Sequence, residues 1–308
     1  MKKVFSIIVI LTIFLFYAGI VHAEDAPASS VTFPFLCEVP PAKINPVMKS
    51  VRLLRTSFAV AETAGNETHG KAYLRDRKGD FQLDLNAHWT QRDVISSNCA
   101  ELINMLSATG KDQFKMVIDW KTYYAGSVEY KGTAESLIGW GNFFHTGIQN
   151  DTDAGFNGVP NLFDPQLGVV ELFPRYNIVN NETDTLNWWI ILTPKSQGNF
   201  CTRILECIIC DEEEHCMSLA LPIPNALNVF NVEDYVPGGL FPYSTFPKAG
   251  FAMCDVAMQS AQPSSDDGCS AIRDDKIAGW LYQYTEGSSS FRDRATMLPM
   301  HVQHQYLY

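Results

Sequence analysis

The sequence predicts a β-dominated α+β fold: antiparallel sheets with long aromatic loops, stapled by disulfides. Three observations predict it. Several segments alternate apolar and polar residues with period two, the mark of a half-buried strand. The chain holds 20 Gly, 16 Pro, 19 Phe, 12 Tyr and 6 Trp, which suits strands and structured loops better than a helical bundle. Its 8 Cys, an even number, all lie at or beyond Cys37, and in an exported chain such a set reads first as disulfides.

Export is itself a reading of the first 23 residues. Lys2 and Lys3 precede an apolar run from Val4 to Ala18, and Val21-His22-Ala23 offers a signal-peptidase site. This is the pattern of a secretory signal peptide at 1–23, and it points to a periplasmic or secreted protein. Retention of the segment as an anchor is the alternative. No later stretch approaches the ~20 apolar residues of a membrane-spanning helix, so no transmembrane span is expected after cleavage. The net charge of −11, with 34 acids against 23 bases, argues against nucleic-acid binding, which needs a basic footprint. At 46% hydrophobic and 19% charged, the chain can bury a sizeable core.

Residues 24–50 are Pro-rich and aperiodic, and read as an extended lead-in. In Phe81 to Trp89 the apolar residues Phe81, Leu83, Leu85, Ala87 and Trp89 alternate with Gln82, Asp84, Asn86 and His88. This strand should pair with Lys71 to Arg75 across the turn 76–80. Asn98 and Glu101 have the spacing of a capping box. A helix should follow, with Leu102, Ile103, Met105 and Leu106 on its apolar face and Gly110 at its end. Phe114, Met116, Ile118 and Trp120 then alternate with charged residues as a strand, with Tyr124 to Tyr130 as its partner.

Residues 132–185 are rich in Gly, Asn, Asp and aromatics and are expected to form long structured loops. Leu186 to Thr193 is a continuous apolar run, hence a strand buried on both faces. Trp188 and Trp189 should therefore point into opposite cores. Phe200–Cys210 and Cys216–Pro222 flank a polar turn, a hairpin signature. The expected organisation is a β-rich α+β region at 24–131 and a loop-rich β region at 132–308, or one continuous domain comprising both.

The densest chemical cluster is Cys201, Cys207, Cys210 and Cys216, with His215 beside it. Disulfides are the leading reading. A tetrahedral zinc site and a redox dithiol at Cys207 and Cys210 are the alternatives. A turn near 212–213 puts Cys210 opposite Cys216, so a Cys210–Cys216 bridge is expected, with Cys254–Cys269 as a separate clip. Cys207 and Cys210 on one straight strand would be about 10 Å apart, too far to bond.

Asp151, Asp153, Asn157 and Asp164 form an oxygen-rich set that could hold calcium. Turn chemistry explains the same residues, so no cofactor or metal is assigned. Asp84, Asn86 and His88 share one strand face; a carboxylate near a His can tune a base, but a solvated sheet face accounts for them too. His301-x-x-His304 reads as an exposed tail. Asn66, Asn150 and Asn181 begin Asn-x-Thr sequons, relevant only in a glycosylating host. Motifs of hydrolase elbows, zinc helices, phosphate loops and dinucleotide folds do not occur.

The expectation is an exported non-catalytic structural or binding protein of the cell envelope. It would act in an assembly such as a secretion or conjugation apparatus, with other envelope or extracellular proteins as partners and oligomerisation open. One alternative is a secreted hydrolase acting on a polymer through Asp151, Asp153, Asp164 and Glu171. Another is a calcium-dependent or lectin-like binding module.

Overall fold

The computed structural model describes residues 27–39, 53–90, 93–146, 151–162, 170–173, 175–178, 185–193, 201–211, 215–235, 248–260, 277–285, 294–299 and 301–304. Residues 1–23, where a signal peptide is expected, Asp164 and Cys269 lie outside them. The described chain is dominated by strands in antiparallel sheets. Among the described residues no helix is long and apolar enough to cross a membrane.

Sheet A joins β2 (Leu54–Glu62), β5 (Val94–Asn98), β8 (Leu137–Thr146) and β9 (Asp151–Asn157) in the order β5-β2-β8-β9. Sheet B joins β1 (Ser30–Glu38), β3 (Thr68–Asp76), β4 (Phe81–Trp89), β7 (Lys121–Gly132) and β10 (Val159–Pro160) in the order β10-β1-β7-β3-β4, with β6 (Lys115–Ile118) also on β7. Sheet D consists of β13 (Thr185–Leu192), β16 (Leu227–Asn231), β18 (Ala278–Thr285) and β19 (Arg294–Pro299), ordered β16-β13-β18-β19. Sheet C holds β11 (Val170–Phe173), β12 (Arg175–Ile178), β14 (Cys201–Asp211), β15 (Cys216–Pro222), β17 (Lys248–Ser260) and β20 (His301–His304).

The described residues form two hydrophobic cores, and sheet D belongs to both. Trp188, Ile190, Leu192, Tyr282 and Tyr284 face a large core shared with sheets A and B. Trp189, Ile191 and Leu281 face a second core with Leu205, Cys207, Ile209 and Cys254 of sheet C. Successive side chains of a strand point to opposite faces, so the apolar run of β13 feeds both. Trp188 and Trp189 are each fully buried.

Within the extended Pro-rich lead-in, Ser30–Glu38 form the strand β1, buried along its whole length; residues 24–26 and 40–50 lie outside the described residues. Its β10 partner reaches only Val31 and Thr32, so Pro34 sits where the ladder needs no second N–H, the edge position that proline tolerates. Position 132 is not a break in the sheets: β8 pairs with β2, and β10 pairs with β1. Part of the stretch 132–185 expected as loops is strand, because its aromatics alternate with small residues: in β8 and β9 the residues Phe143, Ala154 and Phe156 point inward.

The hairpin of β3 and β4 forms as expected, and its turn places Gly79 at φ 87°. The capping box at Asn98 is present, but the first helix, α1, covers only Cys99–Asn104. Ser107 caps a second helix, α2 (Ala108–Phe114), so Gly110 lies inside a helix rather than ending one. Phe114 closes that helix, and the strand that follows stops at Ile118. Asp119 and Trp120, at φ 47° and 65°, form the two-residue turn into β7, leaving Trp120 99% exposed; positive φ at both positions is the hairpin geometry that matches strand twist. His301 and His304 belong to β20, paired with β11, rather than to a free tail.

Cys210 and Cys216 face each other across the hairpin of β14 and β15 and are bonded. Cys254 is bonded to Cys207, not to Cys269. Register makes that choice: β14 and β17 run antiparallel with Cys207 directly opposite Cys254, their Cα atoms 4.0 Å apart. Strand pairing over a separation of 47 residues is not visible in local spacing. Cys37 and Cys99 are buried free thiols. Burial pushes the Cys99 thiol up, while its hydrogen bond holds the Cys37 thiol below the ordinary range.

Non-reducing peptide mapping is expected to return Cys207–Cys254 and Cys210–Cys216 as linked pairs; a Cys254–Cys269 peptide contradicts the register. Alkylation in native buffer should leave Cys37 and Cys99 unmodified.

Asp119 ties the β6–β7 turn to sheet D: its carboxylate accepts from the Trp188 indole N–H at 2.8 Å and the Asn231 amide at 3.0 Å. Asp119→Ala strands a buried indole donor, so urea unfolding should show a loss of about 1–3 kcal/mol. Combining it with Trp188→Phe should shrink the increment.

Candidate functional site on the outer face of sheet A

In β2, Thr56, Phe58 and Val60 are buried, and the intervening Arg55, Ser57, Ala59 and Ala61 point outward. The register extends this face across the sheet. Asn98, Ser57, Asn142 and Gly155 form one row from β5 to β9, and Ser96, Ala59, Trp140 and Asn157 form the next. Val94, Ala61 and Ile138 follow on one side, and Arg55, Phe144 and Asp153 on the other. The floor is low because its central residues are Ser, Ala and Gly. At Gly141 a Cβ would come within 2.5 Å of the Phe156 ring beneath, so only glycine lets β8 sit this close to the core.

A cleft of about 310 Å³ opens on this face, bounded by Ser57, Ser96, Asn98, Trp140, Asn142 and Glu101. This is at the small end of the range for ligand sites. The wall residue Trp140 is 42% exposed, leaving its indole able to stack. Hydroxyls and side-chain amides supply donors and acceptors along the floor. Among the described residues Glu101 is the one ionisable group lining the cleft, and its carboxylate accepts from the Asn98 backbone N–H at 3.3 Å in the capping box. Beneath the floor, Ser97 shares a hydrogen bond with Tyr130. Burial pushes the Tyr130 phenol up, against the lowering effect of that bond. The lining groups can hydrogen-bond and stack, and they pair no acid with a base.

The residues singled out from sequence fall elsewhere or beside this cleft. Asp151, Asp153 and Asn157 are exposed on β9, and Asn157 lies opposite Trp140. They do not form a calcium loop. An extended strand advances about 3.3 Å per residue, which puts Asp151 and Asn157 roughly 20 Å apart, beyond any single ion's shell of ligands at 2.3–2.6 Å. Asp151 and Asp153 stand side by side on one strand rather than facing each other across a cleft, and Glu171 belongs to sheet C. Asp84 is paired with Lys71, whose ammonium holds the carboxyl below the usual range. His88 turns instead to Glu67, at 2.7 Å, and its ring stacks on His69.

Local pattern marks Asn98 only as a helix cap and does not single out Ser57, Ser96, Trp140 or Asn142. The available signal is faint: apart from Arg55, the outward positions of β2 and β8 carry no charge where a solvated face would. The chain matches no protein-family model, and no curated protein resembles it in sequence.

Proposed function

We propose that the chain is exported to the periplasm or cell exterior and acts there as a non-catalytic binding protein. In this reading it holds a partner protein of an envelope assembly on the outer face of sheet A. One observation carries it. Val94, Trp140 and Phe144, which are 46%, 42% and 40% exposed, project from the same sheet face as a cleft with a single ionisable lining residue. Trp140 stands beside Ala59, Ser96 and Asn157, while Arg55 and Asp153 flank Phe144; an aromatic anchor in a charge-poor centre with charges towards the rim is the layout of a protein interface. The small floor residues leave room for a protruding loop of the partner. Its apolar side chain would lie on Trp140, and its backbone amides would meet Ser57, Asn98 and Asn142. The signal sequence and the disulfides of sheet C support an oxidising destination.

The test is a photo-crosslinking residue placed at Asn142 in cells that make the native envelope. A single discrete adduct is expected. Trp140→Ala should abolish it, weakening partner binding by about 2 kcal/mol, near 30-fold, while thermal unfolding stays unchanged. Absence of an adduct, or the same adduct from a probe at the remote Trp120, would contradict the proposal. So would turnover of a polymer substrate that is lost on altering this cleft.

A further inference from the structure

We propose that Glu67, His69 and His88 form a surface site for a divalent transition-metal ion, with Zn²⁺ as the occupant that best matches its ligands. The site is distinct from the cleft on sheet A and is built by the β3–β4 hairpin of sheet B.

Strand register brings the three together. His69 on β3 lies directly opposite His88 on β4. Glu67 precedes His69 by two residues, which in extended chain returns a side chain to the same face. The result is two ligands spaced i, i+2 on one chain segment and a third from the facing strand. One carboxylate oxygen of Glu67 lies 2.7 Å from His88 Nε2 and 3.4 Å from His69 Nε2. The imidazole rings stack with centroids 4.3 Å apart and planes 11° from parallel. All three ligand atoms fall within 4.8 Å of one another.

Those distances suit a metal. Tetrahedral zinc with bonds of about 2.0–2.1 Å separates neighbouring ligand atoms by roughly 3.3–3.5 Å. Because the rings stand nearly parallel, binding requires them to fan apart so that both Nε2 lone pairs converge on one ion, a movement their exposure on the sheet surface permits. The charges suit it as well. One carboxylate oxygen of Glu67 faces the Nε2 atoms of both rings. A single divalent ion satisfies the carboxylate and both neutral rings at once.

Two imidazoles and one carboxylate are a donor set for zinc and its neighbours in the first transition row, not for calcium or magnesium, which take oxygen ligands. Three protein ligands leave a fourth position for water, the composition of an open zinc site. The hairpin holds this end firmly. The next pair in register, Thr68 and Trp89, is buried, and the Trp89 indole donates to the Val60 carbonyl at 3.1 Å. The side chains of Glu67, His69 and His88 are 62%, 70% and 46% exposed, so ions reach them directly.

Isothermal titration of the untagged exported chain with ZnCl₂ tests the proposal. One ion per chain is expected. His69→Ala and His88→Ala should each weaken binding by at least the roughly 10–100-fold that losing an outer partner of a metal ligand costs. Glu67→Gln should weaken it too, and His215→Ala should not. Because the altered positions are exposed, folding should persist, as circular dichroism would confirm. In the unaltered protein, zinc should shift the NMR ring-proton signals of two histidines together. No saturable zinc binding, or binding that survives both histidine substitutions, would overturn the proposal.

Discussion

Strand β13 is the constraint on which the rest of the molecule depends. From Asn187 to Thr193 every residue is buried, so neither face can be given to water. Trp188, Ile190 and Leu192 must find one apolar partner layer, and Trp189 and Ile191 another. Burying such side chains contributes roughly 1.5–3 kcal/mol each, far more than any local turn preference. Placing a sheet between two cores is the simplest arrangement that satisfies both faces. Sheets A and B enclose one side, and sheet C covers the other.

Polar contacts fix how these layers meet. Asp119 reaches from the β6–β7 turn to Trp188 and Asn231. The Leu227 N–H donates to the Arg77 carbonyl at 3.0 Å, joining sheet D to the β3–β4 turn. On the far side, Arg203 of β14 donates to the Thr193 hydroxyl at 3.2 Å in buried surroundings. Buried donors and acceptors are costly to leave unmatched, so these contacts select one relative placement among those that apolar packing alone would allow. Among the described residues sheet A is covered on its inner face only, and the small residues of β2 shape its outer face into a cleft.

Local pattern revealed the elements whose information is local. Period-two alternation identified β4, the Asn98–Glu101 spacing identified the helix cap, and the apolar run of β13 declared its two buried faces. The turn between Cys210 and Cys216 was visible for the same reason. What local pattern could not supply was register between distant strands. Cys207 meets Cys254 only because β14 aligns with β17, and His69 meets His88 only through the β3–β4 ladder. The cleft is harder still to read. Its residues come from three strands and a helix start, and each alone looks like an ordinary Ser, Asn or Trp. Pro34 misled in the opposite direction, since proline marks a break in most strands but is tolerated where one side of the ladder is unoccupied.

As a wall shared by both cores, β13 should open only when the whole fold opens. Amide hydrogen exchange under native conditions measures this directly. The amides of Trp188 to Leu192 are predicted to be among the slowest in the chain, exchanging with the free energy of global unfolding. They should respond equally to denaturant whether the reporter lies in β18 or β14. Exchange of β13 at the rate of the edge strand β5, or separate opening of sheet C while sheets A and B stay protected, would contradict it.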